Sequence, residues 1–247
     1  MRLKILTYNI HKGFDIFNRR FVLGRIKQSI RMLAPDIVCL QEVQGEHEKL
    51  KKKVNEWPLE AQFEFLADTM WPHHAYGKNA VYPLGHHGNA LLSKYPIKYW
   101  HNLNLSLDKS EMRGMLHAEI YLPEENRTFH MMNTHINLFH GARVKQAKLM
   151  QNYINEKIPQ DAPLILVGDF NDWLLRLDPI MRNGLGATEL FHQLYGKHAR
   201  TFPCFMPRLP LDRVYLKNAI PVQGMVLNDG PWKDLSDHLP IYAEVDV

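Results

Sequence analysis

A chain of 247 residues with 45% hydrophobic and 23% charged side chains has an ordinary globular composition, which excludes disordered, collagen-like and disulfide-stapled classes. The net charge of +4 permits a polyanionic partner without demanding one. Two cysteines, Cys39 and Cys204, are too few for a disulfide framework, and no apolar run approaches the ~20 residues that span a bilayer.

The opening MRLKILTYNIHKGFD reads as a strand, because polar residues interrupt it before a signal-peptide core could form. The expectation is therefore a soluble, cytoplasmic protein. RRFVLGRIKQSIRML follows as a helix, with Val22, Ile26, Ile30 and Leu33 at helical spacing. Pro35 ends it, and DIVCLQEV reads as a buried strand in which Cys39 is a small hydrophobe. The run KLKKK (49–53) reads as a solvated helix face, the alternative being contact with phosphates or lipid headgroups. Leu59, Phe63, Leu66 and Met70 predict a second helix that stops before Pro72.

NALLS, IKYWHNLNL, MLHAEIYL and TFHMMNTHI then predict successive strands. ARVKQAKLMQNYINEKI predicts a helix, and PLILVGDFND a buried strand that breaks at Gly168. LDRVYL, IPVQGMVL and LPIYAEV supply the last strands. This order fits neither a doubly wound sheet nor eight regular βα units. Two mixed sheets packed face to face, with helices outside, accommodate it. With no repeat and no linker, one domain over residues 1–247 is the simpler count.

Polar groups recur where apolar strands end. Asn9, Glu42, His135, Asp169 and Asn171 close such runs, while Asp212 and the pair Asp237–His238 open them. Each alone has a bland explanation, such as a helix cap for GDFND or an interior histidine for His135. Together they occupy one kind of position, the rim of a sheet, where a site has a rigid floor. Glu42, Asp169 and Asp237, with the amides of Asn9 and Asn171, are hard oxygen donors of the type magnesium or manganese prefers. No HExxH or paired CxxC favours zinc, and no GxSxG elbow or glycine-rich nucleotide fingerprint is present. Asp212 is a candidate orienter of His238, an acid-and-histidine logic without a serine nucleophile.

TYNIHKG, DIVCLQEV, HGNALLSKYPI, NTHI, LILVGDFND, LDRVY and SDHLPIYAEV, in this order from residue 3 to residue 246, resemble the endonuclease/exonuclease/phosphatase, or DNase I-like, superfamily. The resemblance implies an α/β fold, a four-layer α/β/β/α sandwich of two mixed β-sheets flanked by helices. It also implies Mg²⁺-dependent cleavage of phosphoester bonds, with Mn²⁺ as a substitute. By that likeness Glu42, Asn9 and Asp237 belong to the metal site. Asp169 and Asn171 prepare the attacking water or bind the metal, Asp212 pairs with His238, and His135 stabilises the phosphate or leaving group.

THINLFHGARVKQAKLM is reminiscent of the bacterial branch resembling sphingomyelinases and lipid-associated members, and places Arg143 as a phosphate contact. Arg113, in EMRGML, is a second candidate, the alternative being an ordinary exposed arginine at the start of a strand. Arg213 stands where many members carry an aromatic residue, which argues against a typical abasic-site endonuclease. The expected partner is a phosphoester substrate, either nucleic acid or a phospholipid headgroup. The rival is a non-catalytic binding module that keeps the fold, against which the intact set of acids, amides and histidines speaks.

Overall fold

Odd and even positions of the first strand, β1 (Arg2–Asn9), are both apolar, and each set finds its own core. Leu3 and Ile5 enter one cluster, Leu6 and Tyr8 another. The next strand, β2 (Ile37–His47), divides in the same way, with Ile37 and Cys39 on one side and Val38 and Leu40 on the other. A strand covered on both faces reads as a continuous apolar run, which is why DIVCL shows no alternation.

The computed structural model describes residues 1–108 and 111–247. The remaining strands are β3 (His73–Tyr82), β4 (Gly85–Ser93), β5 (Ile97–Asn104), β6 (Gly114–Leu122), β7 (Arg127–His135), β8 (Leu164–Asp169), β9 (Thr188–Glu189), β10 (Asp212–Lys217), β11 (Ile220–Val226) and β12 (Ile241–Asp246). The helices are α1 (Leu23–Leu33), α2 (Glu48–Lys53), α3 (Gln62–Ala67), α4 (His140–Lys157), α5 (Asp178–Leu185) and α6 (Leu190–Tyr195).

Two six-stranded sheets result, ordered β11-β12-β1-β2-β4-β3 and β5-β6-β7-β8-β10-β9. Each is mixed, because β1–β2 and β7–β8 run parallel while the other pairs are antiparallel. Leu3, Ile5, Cys39, Leu116, Met131, Ile165 and Val167 fill the space between the sheets. On the outer face of the first, Leu23, Ile26 and Ile30 of α1 pack on Leu6, Val38 and Leu40. On the outer face of the second, Ala147, Met150 and Ile154 of α4 pack on Met132, Leu164 and Leu166. This is the expected four-layer α/β/β/α sandwich.

Three local expectations change. The helix predicted across Leu59–Met70 shrinks to α3: Leu59 is 87% exposed, and Asp68, with φ 48°, ends the turn before Met70. Strand β8 does not break at Gly168 but pairs onward through Asp169 with both neighbours. Gly168 is required there because φ is 140° and a Cβ would lie 1.9 Å from Thr134 O on β7. Strand β3 carries no clear signal in the sequence, because its half-buried face lacks a clean alternation. The lysines of KLKKK do lie exposed on α2, and no helix among the described residues is long and apolar enough to cross a membrane.

Candidate active site

The sheets bring the polar strand ends together by register. Parallel pairing of β7 with β8 sets His135 beside Asp169, and antiparallel pairing of β8 with β10 sets Asp169 beside Asp212. Strand β1 ends in Asn9 at the facing sheet, and the turn into β12 carries Ser236, Asp237 and His238. Ser236 joins these two segments, its hydroxyl donating to Asn9 O at 2.7 Å.

Asp169 is the hub. Its Oδ2 accepts from Asn9 Nδ2 at 3.2 Å and lies 3.5 Å from His135 Nε2 and 3.6 Å from His238 Nε2. Its other oxygen accepts from the Asn171 amide N–H at 3.0 Å. Asn171, left-handed at φ 48°, donates its side-chain amide to Ile136 O, which pins the turn after β8. His238 Nδ1 meets Asp212 Oδ2 at 2.9 Å, and Thr201 donates its hydroxyl to that same oxygen. Asn9, His135, Asp169, Asn171, Asp212 and His238 are all buried.

Burial alone would strip the proton from His238, but Asp212 and Asp169 outweigh it and push the imidazolium up to about 10. Burial pushes Asp169 the other way, to about 6, against the opposing pull of His238. His135 is driven well below its ordinary value by burial and by Arg113, so it stays neutral.

Glu42 reaches the site through a bulge. The β2–β4 register shifts between Leu40 and Val43, and Glu42 takes a left-handed φ of 55°. A bulge re-aims a side chain that a regular pleat would send elsewhere. Glu42 lines a small cavity with His135, Arg113, His87 and Asn89. Burial raises its carboxyl, yet its basic surroundings, His135 and Lys12 foremost, oppose this and hold it below the ordinary carboxylate value. With His135 neutral, the Lys12 ammonium, 3.1 Å from Oε2, is the charge that persists.

The other expected residues divide. Asp237 is half-buried at the mouth, accepting from Ser236 Oγ at 3.2 Å and lying 3.9 Å from His11 Nδ1. Arg113 sits on the cavity wall, its guanidinium paired with Glu111. Arg143 departs from the expectation of a phosphate contact. It is 1% exposed, donates to Leu138 O, lies 3.6 Å from Asp172 and rests 4.8 Å from the Trp173 ring, so its guanidinium is buried among protein groups and does not line the cavity that holds Glu42. Arg213, equally buried, donates to the carbonyls of Pro210 and Asp172. Sequence reasoning did not single out Lys12, His87, Thr201 or Ser236. Lys12, His87 and Ser236 lie inside TYNIHKG, HGNALLSKYPI and SDHLPIYAEV, but nothing local in the chain says which groups they meet.

The donor set fits a hard divalent ion. Glu42 Oε2 is buried, ionised and without a well-aligned hydrogen bond, and a cation already lies against it. Asp237 and Asn9 add oxygen donors nearby, although Asn9 Oδ1 also accepts from His11 N at 3.1 Å. Asp169, Asp212 and His238 place one ligand atom each within 4.8 Å of one another, but His238 there bridges two carboxylates and completes a charge network.

The chain and its fold have known relatives. The Escherichia coli K12 protein YbhP is 45% identical over 242 residues, covering 98% of this chain and 95% of its own. Among solved structures, the mannosyl-6-phosphatase of Bacteroides thetaiotaomicron VPI-5482 superposes with a TM-score of 0.75 at 19% identity, over 99% of this chain and 100% of that one. Danio rerio TDP2 complexed with a single-strand DNA product gives 0.72 at 17%, over 100% and 99%. The human Nocturnin catalytic domain with bound sulfate gives 0.75 at 18%, over 99% and 93%. The sequence model of the Endonuclease/Exonuclease/phosphatase family matches residues 6–238, a span that holds every residue gathered around Asp169, and the chain belongs to that family.

Proposed function

We propose that this protein is a Mg²⁺-dependent phosphoesterase, with Mn²⁺ able to replace Mg²⁺, that hydrolyses its substrate by in-line attack of water. The observation that carries the reading is the convergence of Asn9, His135 and His238 on one oxygen of Asp169. Glu42, with Asp237 and the amide of Asn9, would hold the ion, which when bound supplies a Lewis acid that screens charge on the phosphoryl oxygens.

The protein's own groups do the rest. Asp169 orients the attacking water and takes its proton, steadied by Asn9 and the Asn171 amide. Asp212 fixes His238 with Nε2 toward the reacting centre, where the imidazolium stabilises the charge building on the phosphoryl oxygens. His135 donates to a phosphoryl or leaving-group oxygen, and Arg113 at the cavity wall attracts the substrate anion.

Support for the reaction class comes from the family together with this site. A phosphatase of a sugar phosphate and a protein holding a DNA product share the fold, which leaves the substrate to experiment. Assaying single- and double-stranded DNA, RNA, a phosphoinositide, sphingomyelin and p-nitrophenyl phosphoesters, with Mg²⁺ and with chelator, tests it. Chelator-sensitive turnover of at least one is the expected result. No turnover on any, together with no calorimetric binding of Mg²⁺, would establish the binding-module alternative.

A further inference from the structure

Three loops leave the sandwich at the end that carries the site: 136–139 after His135, 170–177 after Asp169 and 196–211 before Asp212. Each presents at least two large apolar side chains to solvent, among them Leu138 with Phe139, Trp173 with Leu174, and Phe205 with Met206. Phe139 is 74% exposed, Leu174 55% and Phe205 66%, and none of the six joins a core cluster.

The loops are braced into one rim. Buried Arg143 bonds Leu138 O and lies beneath Trp173, tying the first loop to the second. Buried Arg213 bonds the carbonyls of Asp172 and Pro210, tying the second to the third. Cys204 N donates to Asp237 O at 2.8 Å, which holds Phe205 and Met206 against the mouth of the site. Apolar tips carried on a braced frame are a surface, and one of this kind marks an interaction.

Charge says with what. These segments expose no carboxylate: Asp172 is buried, and the others carry no acid. Arg176, Lys197, Arg200 and Arg208 are all exposed on them. Half of the six apolar tips are Leu or Met, which have no π-face for a nucleic-acid base but enter hydrocarbon readily. We propose that this rim seats the protein on an anionic phospholipid bilayer, its apolar pairs entering the headgroup–acyl boundary while the arginines and Lys197 meet lipid phosphates. The inference deepens the proposed activity, and rests on it only in naming the membrane as the place where a phosphoester is met.

Vesicle sedimentation of the full chain tests it without turnover. Binding to an equal mixture of phosphatidylglycerol and phosphatidylcholine should be roughly 10-fold or more tighter than to phosphatidylcholine alone. The double variant Phe139→Ser/Phe205→Ser should lose about 10-fold of that binding with its thermal midpoint unchanged. Met32→Ser, an exposed apolar residue on α1, should lose none. Failure of the wild type to sediment with anionic vesicles, or full binding by the double variant, overturns the proposal. So does single-stranded DNA binding, without vesicle binding, that the double variant abolishes, since the rim would then be a stacking platform. Turnover of the phosphoester panel by the same preparations separates the two readings: vesicle binding without turnover of any panel substrate leaves the docking surface and removes the enzyme, and the reverse result does the opposite.

Discussion

His238 turns one ring nitrogen to Asp212 at 2.9 Å and the other to Asp169 at 3.6 Å, and so spans two carboxylates from neighbouring strands. An imidazole bonded at Nδ1, with a second carboxylate facing Nε2, has its orientation fixed. Removing the Asp212 charge with near-identical shape therefore tests orientation rather than packing. In Asp212→Asn, kcat should fall by roughly 10²-fold with KM little changed. Steady-state kinetics on a soluble phosphodiester check this, and a rise in KM at constant kcat would place His238 in binding instead.

Glu42 carries the prediction about metal. Glu42→Gln keeps the shape of the side chain and removes its charge, so calorimetric Mg²⁺ binding should weaken at least about 10-fold. Wild-type turnover should vanish with chelator and return with added Mg²⁺. Undiminished Mg²⁺ affinity in Glu42→Gln would move the ion to other ligands.

A second histidine pair, away from the site, makes stability pH-dependent. His117 Nε2 lies 3.0 Å from His130 Nδ1, and His117 Nδ1 lies 2.9 Å from Tyr153 Oη on α4. Burial, with the neighbouring histidines adding to it, lowers His117 to about 4, and His130 is lowered as well. Unfolding returns His117 to about 6.5, so between these values the unfolded chain binds more protons than the folded one. Its contribution is fully present above about 6.5 and is lost as pH falls toward 4, on the order of 3 kcal/mol across the window. Urea midpoints at pH 7.5 and pH 5 should converge in His117→Gln relative to the wild type. An equal pH dependence in both would show that His117 is not the group responsible.

Arg143→Met separates bracing from phosphate contact. Removing one partner of a buried ion pair leaves Asp172 uncompensated and should cost roughly 3 kcal/mol of stability. KM for a small soluble phosphodiester should stay within about 2-fold, because only bracing is lost. A large rise in KM with unchanged stability would restore the phosphate role expected from the sequence.

The layers were legible in the chain because β1, β2 and β8 run apolar on both faces, the mark of strands covered on two sides. The polar strand ends were legible for a related reason: an acid or amide that closes an apolar run stands out against it. Partners were not legible. Lys12 meets Glu42 only because β2 bulges between Leu40 and Val43, and a bulge is set by pairing with β4 rather than by local sequence. Arg143 is placed as a phosphate contact only by the likeness of THINLFHGARVKQAKLM, and the chain does not show that two loops close over it. The helix predicted through Leu59 failed for lack of a surface to cover, since an apolar stripe forms a helix only where another element receives it.

The convergence on Asp169 is the centre of the account, and Asp169→Asn tests it most directly. The substitution keeps size and the hydrogen bond from the Asn171 amide while removing the charge that faces His135 and His238. With saturating Mg²⁺ and a soluble phosphodiester, kcat should fall by about 10²-fold to 10³-fold while circular dichroism matches the wild type. Wild-type kcat in that folded variant would contradict the account.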